Sequence, residues 1–282
     1  MNNLNKITVF GRDHESKGEI YSQELETFNI ALAMSVGVTS KSNEDAIGAA
    51  TIQSEIVVAL ADGHWGRNAS ELAISKAVDL LRPDVQLSRD SETRARLFAL
   101  FEQVNTELYN MAVATPGAAT PETTLIVCHI KEASSGKYLY WSSFGDSYLF
   151  LSRKQQLKQL NTLNSFWLGY LSKLSENADT RSILMKFLSD EARYVGVPSG
   201  LETGIEKLEP GDMIFLCTDG LLGSDREPEQ AVLEEINDIL GSDQPLLSKA
   251  ENAVASALNR GEIDNISCVI TQIPLSISDH ND

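Results

Sequence analysis

The chain has 282 residues, 42% hydrophobic and 22% charged, and its 40 acidic against 23 basic residues give a formal charge of −17; this suits one large packed domain or two small ones. Such an acidic balance argues against a nucleic-acid or anionic-membrane surface, because phosphate binding there rests on clustered Lys and Arg. No run reaches the roughly 18 apolar residues of a membrane span, and the apolar stretch after the polar residues 1–6 is too short for a signal-peptide core.

Residues 1–29 lack strong periodicity apart from a strand-like stretch at 7–10, and they read as an N-terminal extension. From Ile30 a buried strand runs to a polar turn at 39–45. Residues 47–53 and 55–61 read as paired strands, the second ending abruptly at Asp62-Gly63. Two helices follow. Ala69, Leu72, Ala73, Ala77, Leu80 and Leu81 recur at helical spacing before Pro83, and Leu97, Phe101, Val104, Leu108 and Met111 do the same. A loop with Pro116, Gly117 and Pro121 leads into strands at 123–130, 138–144 and 148–152. Residues 164–190 read as helical and rich in large apolar side chains. Strands resume at 201–208 and 213–217. A helix then runs from near Pro228 to Gly241, matching the Pro-first, Gly-last asymmetry. A helix at 246–258 and a strand at 265–273 complete a domain of 30–273, and 274–282 is a tail. Cys128, Cys217 and Cys268 each sit in a strand-like run, as small buried hydrophobes of a reducing cytoplasm do, and not as a zinc site.

Strands joined by short turns, with helices in pairs, predict an α+β fold: a four-layer αββα sandwich of two antiparallel sheets flanked by helix pairs.

Four short sequences put an acidic residue at the end of an apolar strand: Asn43-Glu44-Asp45, Ala61-Asp62-Gly63-His64, Thr218-Asp219-Gly220 and, in reversed order, Ile263-Asp264-Asn265. An Asp there projects into a cleft while the ladder fixes its backbone, and a following Gly lets a carbonyl approach a cation. Hard divalent ions such as Mg²⁺ and Mn²⁺ favour such oxygen ligands. Asp-Gly is also a common turn dipeptide, so each pair alone reads as a turn. Four of them bordering buried strands, one carrying His64, read as a metal cluster.

These blocks resemble the type 2C metal-dependent serine/threonine protein phosphatases (PPM), as a divergent bacterial-type member, over roughly residues 30–272. Asn43-Glu44-Asp45-Ala46 is similar to the family's N-E-D-A segment, and Asp62-Gly63-His64-Trp65-Gly66 to its D-G-H-G-G block. Glu122-Thr123-Thr124-Leu125 is similar to its G-S-T-A strand start and Phe144-Gly145-Asp146-Ser147 to its N-V-G-D-S-R. Pro210-Gly211-Asp212 with Thr218-Asp219-Gly220-Leu221 resembles its P-G-D…S-D-G-L, and Asp264-Asn265-Ile266-Ser267 its D-N-x-T.

The resemblance implies two divalent cations, Mn²⁺ or Mg²⁺, and hydrolysis of phosphoserine and phosphothreonine in proteins by a metal-bridging hydroxide. Asp62 would bridge the cations, with the Gly63 carbonyl and Glu44 completing one site. Asp219 and Asp264 would hold the other, with Asp45 acting through a water. His64 would protonate the departing seryl or threonyl oxygen. The partners implied are a phosphorylated protein and a cognate serine/threonine kinase, in the cytoplasm.

Departures from the family pattern temper this. The Arg expected three residues before Asn43 is Ser40, which leaves Lys41 as the phosphate-binding cation without a bidentate fork. Trp65 replaces a Gly, either walling the metals or packing under the next helix, and packing is the expectation. Gly223 stands where many members carry an acid, so a third metal at Asp146 loses a partner, though Asp225 is near. The 164–190 stretch is ordinary core, an altered flap or a docking surface. The alternative function is a pseudophosphatase, a binding or regulatory module with little catalysis.

Overall fold

A computed structural model describes residues 4–39, 42–81, 90–114, 122–163, 201–223 and 228–275. Ser40, Lys41, Asp225 and the 164–190 stretch lie outside the described residues.

Two six-stranded antiparallel sheets form the centre. The first has strand order β1 (Leu4–Phe10), β4 (Ala46–Ile52), β5 (Glu55–Ala61), β8 (Leu125–Ala133), β9 (Gly136–Phe144) and β12 (Glu202–Lys207). The second has the order β11 (Gln156–Gln159), β10 (Tyr148–Arg153), β13 (Met213–Cys217), β14 (Ile266–Gln272), β3 (Ile30–Ser35) and β2 (Tyr21–Leu25). A small ladder pairs β6 (Gly63–His64) with β7 (Glu122–Thr123). The helices are α1 (Asn68–Val78), α2 (Asp90–Ala114), α3 (Asp219–Leu222), α4 (Gln230–Gly241) and α5 (Leu246–Asn259).

Three apolar layers hold the sandwich. Between the sheets, Ile47, Val58, Leu60 and Ile126 meet Leu32, Met34, Leu216 and Val269. On the outer face of the first sheet, α1 and α2 lie over Ala46, Ala50, Ala59 and Ala61, and α1 brings Ala69, Ala73 and Ala77. Small side chains on both partners let helix and sheet approach closely, while the large ones fill the wider gap between sheets. On the far side α4 and α5 cover Ala31, Ala33, Phe215 and Cys268. Central strands covered on both faces bury every residue, which is why β3 and β4 read as continuous apolar runs. All three cysteines are buried and free.

The N-terminal residues depart from the expected extension. β1 pairs with β4 along its whole length and β2 pairs with β3, so both sheets draw strands from residues 4–25. Only Ile7 and Val9 of β1 are buried, a short period-2 signal with Thr8 between them.

Candidate active site

Strand register brings the predicted carboxylates to one end of the sandwich. Ala46 at the start of β4 faces Ala61 at the end of β5. Leu125 faces Phe144, Tyr148 faces Cys217, and Ile266 faces Ser35. Each acidic turn lies just beyond one of those residues: Glu44-Asp45 before β4, Asp62 after β5, Asp146 between β9 and β10, Asp219 after β13, and Asp264 before β14. Asp45 and Asp62 come from the first sheet, and Asp219 and Asp264 from the second. The site straddles the seam between the sheets.

The backbone around Asp62 is pinned from several sides. Its N–H donates to Thr124 Oγ1 at 3.0 Å, while its carbonyl accepts from Thr123 Oγ1 at 2.7 Å and from the Thr124 N–H at 2.9 Å. Thr124 Oγ1 in turn shares a 2.7 Å hydrogen bond with Ser147 Oγ, beside Asp146. A β-carbon at Gly63 would strike the Glu44 carbonyl oxygen, and one at Gly220 the Asn265 carbonyl. Both Asp-Gly pairs are therefore close backbone crossings between site loops as well as turns.

Asn265 ties the remaining loops together. Its Nδ2 donates to the Ser42 carbonyl at 3.0 Å and to the Val36 carbonyl at 3.3 Å, and its Oδ1 accepts the Glu44 N–H at 2.8 Å. Glu44 Oε2 accepts the Gly66 N–H at 2.9 Å, and Ser42 Oγ donates to Oε1 at 3.3 Å. Ser267 Oγ donates to Asp45 Oδ2 at 2.6 Å. Asn265, Thr124, Ser147 and Ser267 all lie in the blocks that resemble the family, but nothing in the sequence marks these positioning roles.

The acids oppose one another electrically. Burial and then the charges of Asp45, Asp219, Asp264 and Asp146 push the Asp62 carboxyl well above the ordinary carboxylate range. Asp219 rises for the same reasons, burial first and then Asp146, Asp264 and Asp45. Asp45 is pushed up to about 7, chiefly by burial, with the Ser267 hydroxyl and Asp62 pulling it back. A buried acidic cluster of this kind is neutralised by protons or by cations. Among the described residues no three His, Cys, Asp or Glu side chains already stand as a finished ligand cage. Two observations nonetheless fit hard divalent ions: the mutual repulsion of these carboxylates, and Asp45 Oδ1, which is buried without a hydrogen-bond partner.

His64 lies on β6 with its Nδ1 3.9 Å from Asp62 Oδ1 and its side chain 62% exposed. That distance is too long for a hydrogen bond, and the ring is largely open to solvent. Trp65 overturns the expectation of packing. It is 69% exposed, and its φ of +60° is a left-handed conformation that costs a bulky residue about 1–3 kcal/mol. Arg67, at the end of this turn, pairs with Glu15 at 2.9 Å.

No protein-family model matches the chain. The serine/threonine phosphatase stp of Listeria monocytogenes is 26% identical over 230 residues, covering 78% of this chain and 85% of its own length. The protein phosphatase PhpP of Streptococcus pneumoniae is 26% identical over 250 residues, 86% of this chain and 97% of that one. The S. agalactiae serine/threonine phosphatase superposes with a TM-score of 0.67 at 20% identity, covering 90% of this chain and 100% of that one. The catalytic domain of the serine/threonine protein phosphatase PstP, in complex with two manganese ions, gives 0.64 at 21% identity, covering 91% and 100%. The likeness to both solved structures is one of fold.

Proposed function

We propose that this chain, which belongs to the type 2C family of metal-dependent phosphatases, removes phosphate from phosphoserine and phosphothreonine in proteins. One observation carries the reading: Asp45, Asp62 and Asp219, drawn from both sheets to one end of the sandwich, are each raised by burial and by neighbouring acids. Structural acids are paired with bases; acids held against one another suit polyvalent cations.

Asp62, the Gly63 carbonyl and Glu44 would hold one divalent cation, and Asp62, Asp219 and Asp264 the other, with Asp45 reached through a water. Asp146 is the candidate ligand for a third. Two such cations, when bound, lower the pKa of a shared water and neutralise the phosphoryl oxygens. The chain's own residues supply position. Thr123 and Thr124 fix the Asp62 backbone, Asn265 holds the Glu44 loop against β14, and Ser267 orients Asp45. His64, open to solvent beside Asp62, donates a proton to the departing seryl or threonyl oxygen, an otherwise poor leaving group. Lys41 would assist phosphate binding. The reading also implies a kinase that supplies the phosphoprotein, and a cytoplasmic setting. Among the described residues no helix is long and apolar enough to cross a membrane.

The test is hydrolysis of a phosphoserine peptide with Mn²⁺ or Mg²⁺ and with chelator. Turnover that requires the cation and is lost to chelator is expected. A tightly held zinc ion with thiolate ligands, or no hydrolysis under either cation, would overturn the reading.

A further inference from the structure

We propose that Trp65 is a specificity-determining contact, which selects phosphoprotein segments carrying a bulky apolar side chain beside the phosphorylated residue. The inference rests on the phosphatase reading and adds a substrate class to it.

Trp65 follows His64 in the chain and lies three residues beyond Asp62, yet it is 69% exposed. Its turn is not slack. The Gly66 N–H is held by Glu44 Oε2 at 2.9 Å, and Ser70 Oγ donates to the Arg67 carbonyl at 3.0 Å and to the Glu44 carbonyl. A large indole is thus kept in a left-handed backbone conformation and turned outward by contacts to a proposed ligand residue. Strain of that kind is retained where the surroundings over-determine it, and it points to a role. Two more apolar side chains near the acidic turns are exposed. Ile263, immediately before Asp264, is 58% exposed, and Val38, whose N–H donates to the Glu262 carbonyl at 3.0 Å, is 37% exposed. Glu44 ties the Trp65 turn to the turn before β14, because its N–H reaches Asn265 while its carboxylate reaches Gly66.

Exposed apolar side chains therefore lie in or beside the turns that carry the acids, on a chain of net charge −17. Long-range electrostatics opposes the approach of a phosphorylated partner. Apolar contact beside the phosphate supplies affinity that this field does not oppose, and an exposed Trp is the residue best suited to give it.

Two phosphoserine peptides of equal length and charge, one with Leu and one with Gly on each side of the phosphoserine, test the inference under Mn²⁺. The wild type should favour the Leu peptide in kcat/KM by about tenfold, carried mainly by KM. Trp65→Ala and Trp65→Gly should bring the ratio close to one, Trp65→Phe should keep most of it, and Val113→Ala, on the exposed face of α2, should keep it all. Trp65→Gly should also hold or raise the thermal midpoint, since a left-handed position suits glycine, so loss of preference in that variant is not loss of fold. Hydrolysis of both peptides at equal rates by the wild type, or a preference that survives Trp65→Gly, overturns the inference alone. No hydrolysis of either peptide overturns the phosphatase reading and this inference with it.

Discussion

Strand β5 carries a carboxylate at each end, and the two are treated in opposite ways. At its start Glu55 accepts a 2.8 Å hydrogen bond from His129 Nε2 on β8. Burial alone would raise Glu55, but that bond and the charges of His129, Lys131 and Arg96 hold its carboxyl below the usual range. Just past the other end, roughly 20 Å along the strand, Asp62 meets Asp45, Asp219, Asp264 and Asp146, and its carboxyl is driven up. The same strand in the same sheet therefore holds a compensated acid and an uncompensated one. Compensation at the Glu55 end stabilises the fold, whereas its absence at the Asp62 end costs stability and creates an affinity for cations.

The sharpest way to break this contrast is to neutralise single members of the site. Asp62→Asn and Asp219→Asn should each lower kcat/KM on a phosphopeptide by about 10³-fold or more, since each removes a charge facing the cations. The thermal midpoint in chelator should hold or rise, because like charges are being removed. Near-full, cation-dependent turnover in both variants would show that the cluster is not the site. Next in size is His64→Gln. A general acid contributes about 10²–10⁴-fold, so a phosphoserine peptide should lose about 10² in kcat, while an ester with a good leaving group loses far less. Equal losses on both substrates would remove His64 from the proton-donor role.

The third expectation concerns cations and pH together. Asp45 is raised from 3.8 to about 7. A group raised in the folded state adds stability below its unfolded pKa and loses it as pH rises through the folded value. In chelator the protein should therefore lose stability from about pH 4 to about pH 7, and Asp45→Asn should flatten that slope. Mn²⁺ or Mg²⁺ at a hundred times its dissociation constant should restore about 2.7 kcal/mol at neutral pH. A denaturation series at several pH values, with and without cation, reads both.

The apolar runs of β3, β4 and β5, the helical spacing of α1 and the acidic strand ends were legible from the residues alone, because periodicity and turn chemistry are local. β1 was legible only as the stretch at 7–10 and β2 not at all, since two buried side chains in the one and none in the other carry little signal without the partner strand. β11 has three exposed polar residues around the half-buried Leu157 and is held by pairing with β10, so one apolar side chain is all that marks it. Which acids meet is a matter of register: adjacency to strands announced Asp62 and Asp219, but only the fold shows Asn265 bridging Val36, Ser42 and Glu44. The outward direction of Trp65 has a related cause. Its environment is set by a positive φ and by the Gly66 bond to Glu44, and neither is encoded in hydrophobicity.

The smallest expected effect lies at the compensated end and completes the contrast. Glu55 is held down, so its contribution has the opposite sign: it is present above the ordinary pKa of 4.5 and is lost as pH falls through the folded value. Glu55→Gln keeps the shape and a hydrogen-bonding oxygen for His129 but deletes the charge. With the Glu55 side chain 28% exposed and His129 fully buried, the change should cost about 1 kcal/mol at neutral pH. The cost should vanish in acid, where the wild-type carboxyl is itself protonated. Hydrolysis and its cation dependence should be untouched, since β5 separates Glu55 from the site by its whole length. If Glu55→Gln instead steepened the alkaline loss of stability in chelator, the two ends of β5 would be coupled, and the division between a structural and a functional acid would fail.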